Sequence, residues 1–280
     1  MTTPFGDRLA QAMADHGPVC VGIDPHPTLL DAWNLPRSAD GVRRFGLRLV
    51  EALGGRIGAC KPQAAFFEEY GSGGVAALEE VIAACRATDT LCIVDAKRGD
   101  IGSTMAGYAR AYLDTDSALS GDAVTLSPYL GVGSLAPAFE AAAANGKGIF
   151  VLALTSNPEG ARVQHARMAD GTSVAQGVIE AVQDANQACD YRHMGSFGLV
   201  VGATIGDAPQ QLGISFNTFN GPILAPGVGA QGAGNTEVTK VFRESVPKVL
   251  ASSSRVILQA GPSIDGLRRA YRQCVDEIVR

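Results

Sequence analysis

Leu91-Cys92-Ile93-Val94-Asp95-Ala96-Lys97-Arg98-Gly99-Asp100 decides how this chain is read, because an apolar run ends there in a charged turn. The first four residues have the continuous apolar character of a strand buried on both faces of a parallel sheet. Alternate residues of a strand share a face, so Asp95 and Lys97 are expected on one side and Ala96 on the other. The glycine and the following Asp100-Ile101-Gly102-Ser103-Thr104 read as a helix start, with a carboxylate near the favourable end of the helix dipole. Strand, charged turn and helix is the arrangement in which α/β enzymes carry their chemistry. A structural ion pair at a sheet rim is the alternative for an isolated Asp-x-Lys.

The same punctuation recurs along the chain. Strand-like runs are expected at residues 19–24, 57–61, 91–97, 123–127, 149–155, 199–203, 223–228 and 248–252. Helical stretches are expected at 41–53, 75–87, 135–144, 174–190 and 267–279. Eight strand-like runs separated by helices, with no linker or composition shift, point to a single (β/α)8 TIM barrel of the α/β class as one domain over residues 1–280. A doubly wound open sheet has the same spacing and stays open as the alternative.

Composition narrows the function. The chain is 46% hydrophobic and 18% charged with a net charge of −5, which argues against a nucleic-acid surface, and no Lys/Arg run supplies a local one. The six cysteines lack a Cys-x-x-Cys pair, and Cys20, Cys60 and Cys92 fall in apolar runs, as small buried hydrophobes of a reducing compartment do. The four histidines show no metal-ligand spacing. No apolar stretch approaches the roughly 18 residues of a membrane helix and the N-terminal residues lack a signal-peptide core, so a cytoplasmic location is expected.

In a barrel the strand ends converge on one mouth. Asp24, Lys61, Asp95 with Lys97, Ser156, Gln231 and Arg255 would meet there. Each has a plainer reading: Asp24 and Ser156 as turn formers beside prolines, Lys61 and Arg255 as solvated strand or helix ends. The glycine-rich stretch at 227–234, which includes Gly229, could cradle a phosphate with its N–H groups, and the polar residues 159–172 read as a loop or lid. Asp24, Asp95 and Asp100 against Lys61 and Lys97 leave the site one negative charge in excess. Attraction for an anion would then come from Arg255 and the glycine-rich loop.

Asp95-Ala-Lys97-Arg-Gly-Asp100-Ile101-Gly-Ser-Thr104, with Gly-Ile-Asp-Pro, Cys-Lys-Pro-Gln and Ala-Pro-Gly-Val at other strand ends, resembles the orotidine 5′-monophosphate decarboxylase family over nearly the whole chain. The Ser-Asn-Pro-Glu-Gly turn and Ser-Ser-Ser-Arg are similar to its larger bacterial class. The resemblance implies decarboxylation of a nucleotide without metal or cofactor, in a homodimer whose active sites lie at the interface. Carried over by position, it implies that Lys97 protonates C6 of the pyrimidine, Asp95 faces the departing carboxylate, and Lys61 joins the charged network near the ribose. It further implies that Asp24 binds a ribose hydroxyl, Ser156 the pyrimidine amide, and Gln231 and Arg255 the phosphate, with Asp100, Ile101 and Thr104 completing the neighbour's site. Related barrels that process sugar phosphates share the Asp-x-Lys-x-x-Asp signature but use magnesium and carry an acidic residue where this chain has Lys61. A cation there opposes a divalent metal. A non-catalytic barrel is the remaining alternative.

Overall fold

The computed structural model describes residues 3–228 and 234–279. Eight strands form one parallel sheet: β1 (Val19–Ile23), β2 (Ala59–Pro62), β3 (Ile93–Arg98), β4 (Ala123–Leu126), β5 (Gly148–Leu154), β6 (Phe197–Val201), β7 (Ile223–Pro226) and β8 (Val249–Ser253). The spatial order β2-β1-β8-β7-β6-β5-β4-β3 puts β2 and β3 at the two ends. They meet through the parallel bridges Cys60↔Cys92 and Gln63↔Asp95, with Cys60 N–H donating to Leu91 O at 2.8 Å. The sheet therefore closes into a barrel, and the open-sheet alternative is excluded.

Side-chain alternation sorts the apolar residues into two layers. Ile93, Phe150, Val200, Leu224 and Leu250 pack inside the barrel, while Val21, Val94, Leu126, Val151 and Leu199 pack against the surrounding helices. The bottom is plugged by the helix Phe5–His16, whose Phe5, Leu9 and Met13 recur every four residues and join the interior cluster. Phe5 meets Phe150 edge-on at 5.9 Å. The Asp7 carboxylate accepts the backbone N–H groups of Arg192, His193 and Met194, and these hold its pKa below the usual range against the opposing effect of burial.

Sequence-based bounds shift in places. β6 begins at Phe197, two residues before the expected run, because Phe197 and Gly198 pair with Ile149 and Phe150. The helix expected at 75–87 begins at Gly71. Gly74 in it allows a close approach, since a Cβ there would lie 1.9 Å from Phe67 O. Residues 159–172 are not wholly loop: Pro158–Gly160 is a 3₁₀ turn, Ala161–Gln164 a helical turn, and Arg167 bridges to Ser173. Gln164 anchors this segment by accepting Thr155 N–H at 2.8 Å and donating to Thr155 Oγ1 at 2.8 Å.

Candidate active site

A cavity of about 600 Å³ opens at the C-terminal ends of the strands. Its floor is apolar, from Leu152, Val200 and Leu224, and its charged wall comes from Asp24, Lys61, Asp95, Lys97 and Arg255. That size and balance suit a small-molecule ligand held by a few directed polar groups.

Asp95, at the end of the apolar run of β3, is the hub. Its Oδ2 accepts from Lys61 Nζ at 2.7 Å and Gln63 Nε2 at 3.2 Å. Its Oδ1 accepts from Lys97 Nζ at 2.5 Å and Thr125 Oγ1 at 2.9 Å. Four donors fill the acceptor capacity of one carboxylate. Burial raises the Asp95 pKa, but the two ammoniums outweigh it and hold the group well below the ordinary carboxylate range. Burial likewise disfavours the Lys61 charge, and Asp95 and Asp24 reverse this, so its pKa stands above the ordinary lysine value.

The two lysines differ in access. The Lys61 side chain is 8% exposed and that of Lys97 44%, so Lys97 is the more accessible of the two ammoniums in the cavity wall. It reaches Asp95 by a path that simple alternation does not foresee. Lys97 has φ +48°, in the left-handed region, and the β3–β4 register shifts between Val94 and Arg98. Lys97 N–H donates to Thr125 Oγ1 at 3.0 Å, so one threonine ties both the backbone of the bulge and the carboxylate. A non-glycine residue in this region costs about 1–3 kcal/mol, which such over-determined contacts offset. Thr125→Val should keep the fold and lower turnover roughly tenfold by loosening Lys97, with a stability loss of about 1 kcal/mol; steady-state rates and a urea melt check both.

The remaining charges of the stretch leave the cavity. Arg98 turns outward to Glu68 and to Tyr112 Oη at 3.2 Å. Asp100 is half-buried, accepts Ile101 N–H at 2.8 Å through Oδ1, and does not line the cavity of its own chain. Ile101 is 61% exposed, and Thr104 is exposed one helical turn on. Within one chain the cavity holds Asp24 and Asp95 against Lys61 and Lys97, so these four charges balance without Asp100, and Arg255 adds one positive charge.

Asp24 follows β1 directly, where Gly22 makes room: a Cβ at Gly22 would stand 1.9 Å from Ser254 Oγ and 2.8 Å from Asp24 Oδ2. Asp24 Oδ1 is buried against the cavity with no hydrogen-bond partner among the described residues, an acceptor that suits a ligand hydroxyl. Arg255 opens the short helix Arg255–Leu258 directly after β8 and lines the cavity. Ser156 is exposed and outside the cavity wall, which at this strand end is made by Thr155 and Asn157. Gly229 and Gln231 lie outside the described residues. Gln63, Thr125 and His26 line the cavity as well. The signal for Thr125 is a hydroxyl within the apolar strand Ala-Val-Thr-Leu; for Gln63 it is the place two residues after Lys61 at the same strand end.

A closed parallel barrel with a charged cavity at its C-terminal mouth defines a small-molecule (β/α)8 barrel of the kind that carries enzymatic sites. Residues 17–269 match the model of the Orotidine 5′-phosphate decarboxylase / HUMPS family. The chain is 56% identical over 266 residues to an orotidine 5′-phosphate decarboxylase of Salinispora tropica, covering 95% of this chain and 94% of that one. It is 49% identical over 278 residues to the enzyme of that name from Streptomyces coelicolor, covering 98% and 97%. A crystal structure from Streptomyces avermitilis, provisionally given the same name, superposes with a TM-score of 0.94 at 50% identity, covering 99% of this chain and 95% of that one. The chain belongs to the orotidine 5′-phosphate decarboxylase / HUMPS family.

Proposed function

We propose that this chain converts orotidine 5′-monophosphate to uridine 5′-monophosphate and carbon dioxide, using no metal or cofactor, with Lys97 as the proton donor to C6. The observation that carries this reading is the Lys61–Asp95–Lys97 array, which puts one accessible ammonium over an apolar cavity floor. The names of relatives at 56% and 49% identity supply the substrate. The family also covers sugar-phosphate enzymes, and the donor set argues against their metal-dependent chemistry. Both oxygens of Asp95 are engaged by donors, and the Lys61 ammonium lies where a divalent ion would need an anion.

In this reading the substrate carboxylate sits against Asp95 and beside Lys97. The C6–carboxylate bond breaks, carbon dioxide leaves, and its electron pair stays on C6. A proton then passes from Lys97 Nζ to C6, and solvent reprotonates the resulting amine. Two unit charges about 4 Å apart attract by about 4 kcal/mol at an effective dielectric of 20. Enzymes of this power lower barriers by roughly 8–23 kcal/mol, so Lys97 cannot act alone. Binding energy from the phosphate and ribose, spent on holding the carboxylate in place, supplies the rest. Lys61 plays a separate part. When Lys97 gives up its proton, Lys61 still balances the Asp95 charge, so that charge is not left unpaired in the wall.

Asp24 binds a ribose hydroxyl through its unpartnered Oδ1, Ser156 turns to the pyrimidine amide, and Arg255 with Gly229 and Gln231 holds the phosphate. A homodimer completes the site. Asp100, Ile101 and Thr104 reach the neighbour's cavity, and the exposed Ile101, Tyr129 and Leu130 on the adjacent loops after β3 and β4 supply apolar surface for the interface. A cytoplasmic location is part of this reading, supported by six cysteines outside any disulfide; no described helix is long and apolar enough to cross a membrane.

The test is turnover of orotidine 5′-monophosphate by purified protein, followed by its absorbance loss, beside Arg255→Ala. The expected result is rapid wild-type turnover and a KM raised roughly tenfold to a hundredfold in the variant, from loss of a charge-assisted hydrogen bond. Absence of turnover, with magnesium-dependent activity on a hexulose phosphate instead, would overturn the reading.

A further inference from the structure

The seam that closes the barrel carries three thiols on its outer side. Cys60 on β2 and Cys92 immediately before β3 are bridge partners, and Cys85 approaches them from the last turns of the helix Gly71–Ala87. Their Sγ atoms all lie within 4.8 Å of one another, with Cys60 and Cys85 3.2 Å apart. All three residues are buried and none is in a disulfide. Lys61 follows Cys60 and points the opposite way, so the thiols stand in the strand–helix layer behind the cavity wall, not in the cavity.

Small buried hydrophobes would explain three cysteines in this layer, but not the convergence of their sulfurs on one point. Thiolate–metal bonds of about 2.3 Å put three sulfurs roughly 4 Å apart around one ion in a trigonal plane. The Cys60–Cys85 separation reaches that on widening by under about 1 Å, and the separations to Cys92 lie within 4.8 Å. The scaffold is rigid: Cys60 N–H is held by Leu91 O at 2.8 Å and Cys92 N–H by Asp122 Oδ2 at 2.9 Å. No carboxylate or imidazole joins the cluster among the described residues, so the donor set is sulfur alone, which selects soft ions.

The placement also gives an ion something to do. β2 and β3 are joined only by isolated bridges among the described residues, whereas every other neighbouring pair forms a ladder. We propose that Cys60, Cys85 and Cys92 form a structural site for one thiophilic d¹⁰ metal ion of the copper(I) and zinc–cadmium class, which staples β2 and β3 to the helix behind them. Each coordinating sulfur gives up its proton to solvent as the ion binds. The site is distinct from the decarboxylation cavity and does not rest on the proposed activity.

The test uses the full chain, reduced with a phosphine and either incubated with Cd²⁺ or refolded in its presence, then desalted. One equivalent of cadmium should remain, with a thiolate-to-metal charge-transfer band, and the melting temperature should rise by several degrees. The band and the retained metal should vanish in Cys85→Ser and persist in Cys189→Ser. If Cys85→Ser fails to fold, Cys85→Ala gives the same comparison. Retention of less than about a tenth of an equivalent by both routes, or equal retention in the Cys85 variant, would overturn the proposal.

Discussion

Lys97→Ala should lower kcat/KM for orotidine 5′-monophosphate by at least about 10⁴-fold while leaving the fold intact. Two losses combine. General-acid transfer contributes roughly 10²–10⁴-fold in enzymes, and an ammonium beside developing charge adds several kcal/mol where water is excluded. Lys97 is the accessible member of the array, with a side chain 44% exposed, so its removal opens no buried cavity. Stability should change by less than about 1 kcal/mol, as for a half-exposed pair. Stopped-flow absorbance for the rate and a urea titration for the fold check the two halves. A variant within tenfold of the wild-type rate would end the assignment of Lys97 as the proton donor.

Asp95→Ala should be more damaging to the molecule as a whole. Activity should fall about 10³-fold or more, because Lys97 Nζ loses the carboxylate that holds it over the cavity. Stability should fall by about 3 kcal/mol, because Lys61, 8% exposed, is left as a buried charge without its principal partner. The pH dependence gives a second reading of the same array. The Asp95 pKa is depressed in the folded chain, so its contribution is present above the unfolded carboxylate value of about 3.9 and is lost as pH falls below it. The Lys61 pKa is raised, so its contribution is present below the unfolded value of about 10.4 and is lost as pH rises beyond it. Between about pH 5 and 9 the array should contribute a constant stability. Wild-type unfolding should show no step from this array across the range, whereas Asp95→Ala should gain stability relative to wild type as pH rises, because burial lowers the pKa of a Lys61 without its carboxylate; a fixed offset between the two would contradict the charge states assigned.

The barrel was legible because its signals are local. Each strand is a short apolar run ending in polar turn residues, and periodicity places most of them to within a residue or two. The helix Phe5–His16 escaped the sequence-based expectations although Phe5, Leu9 and Met13 mark one face, because a helix preceding the first strand adds nothing to the alternating βα pattern. The site was legible only in outline. That Asp95 and Lys97 face one cavity follows from alternation, but the left-handed turn at Lys97 does not, since its cause is the Thr125 hydroxyl on the neighbouring strand. The separation of Asp100 from its own chain's cavity was legible, since it lies past Gly99 and off the strand face that Asp95 and Lys97 share. Dependence on neighbouring strands hides Cys60, Cys85 and Cys92 most, since they share no motif spacing and are gathered only when β2 and β3 close the barrel.

Single-turnover release of carbon dioxide from orotidine 5′-monophosphate, by chelator-treated and desalted wild type beside Lys97→Ala treated identically, tests the central claim most directly. Undiminished release by the wild type and none above background by the variant is the expected result. Loss of wild-type activity on chelation that magnesium restores, or release by the variant at a comparable rate, would contradict a metal-free decarboxylation driven by Lys97.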